Sequence, residues 1–312
     1  MSPVADGSDF GGSLRNPAGW NNVFGFRPTA GRVPFGPTPE IFMQSMGYEG
    51  PMARTVGDLA LLLSVMAGYD DRAPLSLQGD PHQFVAPIER DFRGVRIGWL
   101  GNLGSLPMET GMLDLCLGSL RRLESAGCVI EDASLGVSRE RIWDSFVKLR
   151  SCIAAGSLGA FYADPAKRDL LKPEAIWEIE NGLNLSATDV FAASIGRSEV
   201  YQSFQTAFRT FDFLALPTAQ VFPFDAKQHW PRDVAGVTMT SYHNWMEVVA
   251  GPTLAGCPAI AVAAGFGPGN LPSGIQLIGP NLQDFAVLQL AHAYEQVARD
   301  VISTLPPMLS DA

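Results

Sequence analysis

Lysine is scarce in this chain of 312 residues: Lys148, Lys167, Lys172 and Lys227 are all of it, and the other basic residues are arginines. With 22 basic against 32 acidic side chains, the net charge is −10 and the pI about 4.9. A sequence-independent nucleic-acid binder needs basic patches to neutralise phosphates, so no nucleic-acid partner is expected. Histidine is equally sparse, at His82, His229, His243 and His292, and no H-E-x-x-H or comparable ligand spacing occurs. Neither a metal nor a cofactor is expected. The cysteines, Cys116, Cys128, Cys152 and Cys257, stand far apart with no C-x-x-C pair, which leaves out a zinc ribbon and a redox dithiol. Each lies in apolar context and reads as a buried free thiol, consistent with a reducing, cytoplasmic setting. No basic region followed by an apolar core marks a leader at the N-terminus. No apolar run is long enough to span a bilayer, so no membrane partner is expected.

What is present is core-forming: 46% hydrophobic and 17% charged residues, the composition of a globular chain. One stretch, from Asp6 to Pro34, organises the rest. It begins Asp6-Gly7-Ser8-Asp9-Phe10-Gly11-Gly12-Ser13-Leu14-Arg15-Asn16-Pro17-Ala18. Glycine permits close backbone approach and dihedrals that other residues resist. Over Phe10-Gly11-Gly12-Ser13, successive N–H groups can turn toward one point and bind an anion or a developing oxyanion. The Ser13 hydroxyl would then lie beside that point, the geometry that acyl transfer requires. Asp9 and Arg15 flank the serine and can pair to hold the loop. A plain Gly-rich surface loop has the same spacing. A phosphate cradle fits less well, because neither a P-loop ending nor G-x-G-x-x-G is present. The G-x-S-x-G elbow is also absent.

The segment Ala5 to Ala18 resembles the signature loop of the amidase signature family. Gly50-Pro51-Met52-Ala53-Arg54-Thr55-Val56-Gly57-Asp58 resembles the same family. So does Ala255-Gly256-Cys257-Pro258-Ala259-Ile260, followed by Gly274-Ile275-Gln276-Leu277-Ile278-Gly279. The resemblance runs over nearly the whole chain. It implies a nucleophile at Ser13, in the Gly-Gly-Ser-x-Arg position, and an oxyanion hole from the amides of Phe10, Gly11, Gly12 and Ser13. It also implies a small-molecule amide substrate and a serine acyl-enzyme. In the family a second serine, in a Gly-Gly-Ser-Ser-Gly-Gly motif, and a lysine behind it activate the nucleophile from upstream of this loop. No Gly-Gly-Ser-Ser-Gly-Gly occurs in this sequence, and Ser13 is preceded by only a short stretch. The expectation is therefore an N-terminally incomplete amidase, inactive or weakly active alone. It would be open to self-association or to docking of a missing N-terminal segment. The alternative is a non-catalytic remnant or binding subunit of a split or truncated amidase.

The chain in order predicts an α/β fold, a single domain around a mixed β-sheet flanked by helices. Within the amidase signature domain of 1–312, the signature loop occupies 1–34, a helical layer or cap 139–210, and C-terminal strands and a helix 211–300. Residues 1–5 read as the end of a strand. Residues 13–22 read as a short helix or turn, and the prolines from Pro28 to Pro39 as an irregular segment. Thr55 with Asp58 three residues on marks a helix start, Leu59, Leu62, Leu63 and Met66 follow at helical spacing, and Gly68 stops the helix. Residues 70–92 read as a loop. Strand 95–100, helix 110–126 with Gly127 as its C-cap, and strand 128–130 make a parallel βαβ unit. Residues 139–162, 174–183 and 188–209 carry helical periodicity. Residues 213–218, 258–262 and 273–278 read as strands, the last two as a hairpin. Residues 240–249 and 285–298 read as helices, and 220–238 shows no period. A Ser-His-Asp triad would need a histidine near Ser13. The aromatic neighbours of His229 and His243 favour core packing over a pocket wall, and His292 reads as a helix-surface residue.

Overall fold

The computed structural model describes residues 3–43 and 45–306; residues 1–2 of the first expected strand lie outside them. β1 (Val4–Asp9) carries the strand on to Asp9, past the expected end at residue 5. It does so because it pairs antiparallel with β3 (Tyr48–Ala53), Gly7 opposite Gly50. β2 (Phe24–Arg27) pairs with β3 on one side and with β9 (Ala259–Phe266) on the other. β9 makes the expected hairpin with β10 (Pro272–Ile278). No proline follows Val262, and β9 continues to Phe266, its ladder with β10 shifting register at a bulge between Ala263 and Gly265.

β10 then pairs antiparallel with β6 (Phe213–Pro217). β6 pairs parallel with β4 (Arg96–Trp99), and β4 parallel with β5 (Val129–Asp132). Among the described residues this gives a mixed sheet of eight strands in the order β1-β3-β2-β9-β10-β6-β4-β5. The βαβ expectation is met by β4, α3 (Met112–Leu120) and β5, although residues 121–126 tighten into a 3₁₀ turn before Gly127 at φ 94°. α2 (Val56–Met66) starts as read, with Thr55 accepting from the Asp58 amide at 3.1 Å.

Strand periodicity divides the core. Phe213 and Ala215 of β6 pack on one face, with α2, α3 and α9 (Asp284–Val297). Leu214 and Leu216 pack on the other, with the layer of α4 (Arg139–Ala163), α7 (Ala187–Ala207) and α8 (Ala250–Ala255). Between α4 and α7 lie α5 (Pro165–Arg168) and α6 (Pro173–Leu183); α10 (Arg299–Ile302) follows α9. α7 opens on a capping box between Ser186 and Asp189.

Several elements escaped the sequence. β2 and β3 carry no readable strand signal, since β2 is buried throughout and β3 contains Gly50 and Pro51. Residues 220–238, read as irregular, hold a small hairpin of β7 (Asp233–Val234) and β8 (Val237–Thr238). The helix expected over 240–249 is a 3₁₀ segment, Tyr242–Val249, that passes into α8. Within the loop read over 70–92, residues 81–85 form a 3₁₀ turn. Cys116, Cys128 and Cys257 are buried free thiols as read, whereas Cys152 is half-buried on α4.

Candidate active site

The site grows from one carboxylate. Asp9 ends β1 and is completely buried. It accepts from the amides of Gly11 at 3.0 Å, Gly12 at 2.6 Å and Leu14 at 3.3 Å. The chain folds this tightly around it because Gly11 and Gly12 adopt φ of +141° and +111°, values that favour glycine. A Cβ on Gly12 would also meet Asn16 Oδ1 at 2.1 Å, and one on Gly11 would meet the Phe146 ring of α4 at 2.7 Å. The Gly12 carbonyl then accepts from the Arg15 and Asn16 amides and starts α1 (Arg15–Trp20). Ser13 lies in that turn. Its neighbours Gly11, Gly12, Leu14 and Arg15 are buried, while Ser13 is exposed.

Two buried guanidinium groups serve Asp9. Arg15 donates Nε and Nη2 to the carboxylate at 3.0 and 3.1 Å, Nη2 also to Thr253 Oγ1 at 2.7 Å, and Nη1 to Gln276 Oε1 at 3.0 Å and the Val249 carbonyl at 3.2 Å. Arg27 donates Nη1 to the Asp9 carboxylate at 3.2 Å and to the Asp9 carbonyl, and Nη2 to the Met46 carbonyl at 2.8 Å. Burial by itself would raise the Asp9 pKa, but the charges of Arg15 and Arg27 outweigh it and hold the carboxyl well below the usual range. Burial pushes Arg27 down to about 10, with the Asp9 charge acting against that shift. Asn16 fixes α1 to the sheet by donating to the Thr218 carbonyl.

The expected site residues therefore lie together on one loop, with an unanticipated distribution of bonds. The amides of Gly11 and Gly12, expected to face an oxyanion, donate to Asp9 in this structure. The Ser13 amide and hydroxyl have no hydrogen-bond partner among the described residues. Phe10 turns its carbonyl to Arg150 Nη1 at 2.5 Å, and the Arg150 guanidinium lies 4.4 Å from the centre of the Phe10 ring. No lysine or histidine bonds Ser13 among the described residues. Lys148 pairs with Asp144 and Lys167 with Asp164. His229 contacts Glu174 and His292 contacts Glu295. Ser8, the other hydroxyl near the loop, is exposed on edge strand β1.

The supporting residues Arg27, Thr253 and Gln276 were missed by function-directed reading. Arg27 and Gln276 lay in view, inside stretches singled out in the sequence; the polar side chain in the otherwise apolar Gly274-Ile275-Gln276-Leu277-Ile278 run was the available signal. Arg150 and its partner Glu178 had none, because helix periodicity does not say which helix faces which loop.

A sequence model of the amidase family matches residues 1–288. An acylamidase of Rhodococcus erythropolis is 30% identical over 300 residues, which cover 95% of this chain and 62% of that protein. A glutamyl-tRNA(Gln) amidotransferase subunit from Deinococcus deserti is 32% identical over 324 residues, covering 95% of this chain and 64% of that one. The crystal structure of a bacterial aryl acylamidase of the amidase signature enzymes superposes with a TM-score of 0.88 at 28% identity, over 97% of this chain and 65% of that chain. This chain thus spans a little under two thirds of the length of each of these relatives.

Proposed function

Because the chain belongs to the amidase signature family, we propose that its loop from Asp9 to Arg15 is the nucleophile-bearing part of an amide-hydrolysing site. Ser13 attacks the carbonyl carbon of a small-molecule carboxamide. The tetrahedral oxyanion collapses with departure of ammonia or an amine, and water releases the acid from the Ser13 ester. The observation that carries this reading is the exposure of Ser13 in a loop whose neighbouring members are buried and tied to Asp9. A hydroxyl presented by a rigid turn can meet an acyl group without further ordering. The amide of Ser13, which has no acceptor among the described residues, is the first donor for the oxyanion. Gly11 and Gly12 join it once a bound acyl oxygen competes with Asp9 for their amides.

A serine hydroxyl is a weak nucleophile at neutral pH and needs a base. In the resembling family that base is a lysine acting through a second serine of a Gly-Gly-Ser-Ser-Gly-Gly motif, which does not occur in these 312 residues. The chain by itself is accordingly proposed to turn over amides weakly or not at all. The engagement of Gly11 and Gly12 by Asp9 favours a second reading, a non-catalytic remnant or binding subunit of a split amidase.

Ammonia release from a panel of simple amides, measured beside the Ser13→Ala chain, tests both. Slow release that Ser13→Ala abolishes supports the first. No Ser13-dependent release, with or without a supplied segment bearing the lysine and second serine, supports the second. Robust turnover by the chain alone would show that it carries its own base.

A further inference from the structure

A buried cation on α4 is spent on a backbone carbonyl of the signature loop. Arg150 donates Nη1 to the Phe10 carbonyl at 2.5 Å, and its guanidinium lies 4.4 Å from the centre of the Phe10 ring. Its Nε donates to Glu178 Oε1 of α6. The side chains of Arg150 and Glu178 are only 18% and 10% exposed, so this pair is largely shielded from water. His243, in the 3₁₀ segment before α8, places Nε2 3.0 Å from the same Glu178 oxygen. A planar guanidinium can do three things at once: put one N–H on the carbonyl, another on the carboxylate, and a face on the ring.

The loop is shaped to admit this side chain. A Cβ on Gly11 would stand 3.4 Å from Arg150 Nη1 and 2.7 Å from Phe146 Cζ. Glycine at that position thus serves the approach of α4 as well as its own φ of +141°.

The Phe10 carbonyl and the Gly11 N–H belong to one planar unit and point to opposite sides of it. Arg150 holds the carbonyl, and the N–H donates to Asp9 Oδ1 at 3.0 Å. The unit cannot turn without breaking both bonds. A charged donor on the carbonyl also polarises the peptide and strengthens its N–H. Gly11 stands two residues before Ser13, and the Gly12 amide between them donates to the same Asp9 oxygen at 2.6 Å. We infer that Arg150 is a positioning residue for Ser13: it fixes the Phe10–Gly11 peptide against Asp9, and with it the turn that presents the serine. The consequence for acyl transfer rests on Ser13 being the nucleophile. The hold on the peptide does not.

Two measurements on the full chain test this. The first is amide hydrogen exchange by NMR. In Arg150→Met the Gly11 N–H is expected to exchange about tenfold to a hundredfold faster, the worth of a hydrogen bond to a charged group. The Gly279 N–H, which is buried and bonded to the Pro258 carbonyl on the far side of the sheet sequence, should keep its rate. Glu178→Gln keeps the shape of the group that anchors Arg150 and removes its charge, so a smaller acceleration at Gly11 is expected. The second is reaction with a fluorophosphonate, which bonds phosphorus to the Ser13 oxygen with loss of fluoride and the hydroxyl proton; Ser13→Ala gives the background. Arg150→Met should slow it about tenfold or more. Arg150→Lys, which keeps one donor for the carbonyl, should recover part of both effects. An unchanged Gly11 rate, an equal acceleration at Gly279, or undiminished labelling of Ser13 in Arg150→Met would overturn the inference. A wild type whose Ser13 does not label, with the contrast between Gly11 and Gly279 intact, would support the hold on the peptide and remove only the catalytic reading.

Discussion

Replacing Asp9 by Asn keeps the shape of the residue that ties the loop and removes its charge. Two guanidinium groups, fully buried at Arg15 and Arg27, then lose their counter-ion. Breaking a buried ion pair by neutralising one partner costs about 3–5 kcal/mol, since the other charge remains buried. One amide oxygen also cannot replace the two that receive Gly11, Gly12, Leu14 and both arginines. Against a total stability on the order of 5–15 kcal/mol, this is a large fraction, and it corresponds to a fall in Tm of roughly 5–8 °C for a chain of this length. Urea unfolding at pH 7 measures it as a shift in midpoint. The pH dependence gives a second handle. The folded pKa of Asp9 is depressed below its usual 3.8, so its contribution is complete above the unfolded value and is lost as pH falls below about 4 toward the folded pKa. The gap between wild type and Asp9→Asn should therefore narrow below about pH 4. A midpoint unchanged at pH 7, or a gap independent of pH down to about pH 3, would refute the role assigned to this carboxylate.

Gln276→Leu removes an acceptor from Arg15 and is expected to lower stability by about 1–3 kcal/mol in the same urea assay; an unchanged midpoint would show that Arg15 finds other partners. Gly12→Ala places a Cβ 2.1 Å from Asn16 Oδ1 at a φ of +111°, so a loss of more than about 1 kcal/mol is expected, and thermal melts read it directly. Burial lowers the His243 pKa below its usual 6.5. Its contribution is thus full above that value and is lost as pH falls, when the unfolded imidazole takes a proton that the folded one resists; an NMR titration with a midpoint at or above 6.5 would contradict this. Phe42, Met43, Leu170 and Phe191 are exposed, and β1 is an edge strand, so the purified chain is expected to self-associate. A single monomeric species at all concentrations in sedimentation would count against it.

Local pattern carried much of this molecule. The β4–α3–β5 unit, the start of α2 at Thr55 and the β9–β10 hairpin follow from apolar periodicity, capping residues and glycines, which act over a few residues and are written in order along the chain. The candidate loop was legible for the same reason: Asp9, Gly11, Gly12, Ser13 and Arg15 are sequence neighbours, and their residue types imply a tight turn around a paired carboxylate. Tertiary structure decided what neighbours cannot. β2 and β3 exist because Gly25 and Gly50 let backbone approach where a Cβ would meet the Leu14 and Phe26 carbonyls at 2.2 and 2.1 Å; the packing that overrides their weak strand signal comes from residues far away. The second arginine on Asp9, the support of Arg15 by Gln276 across 261 positions, and the meeting of Arg150, Glu178 and His243 at one cleft arise only when α4, α6 and the 3₁₀ segment before α8 pack beside the loop. Whether the Gly11 and Gly12 amides point to solvent or to Asp9 was likewise undecided by residue type, because both conformations are open to glycine and only the buried charge of Asp9 selects between them.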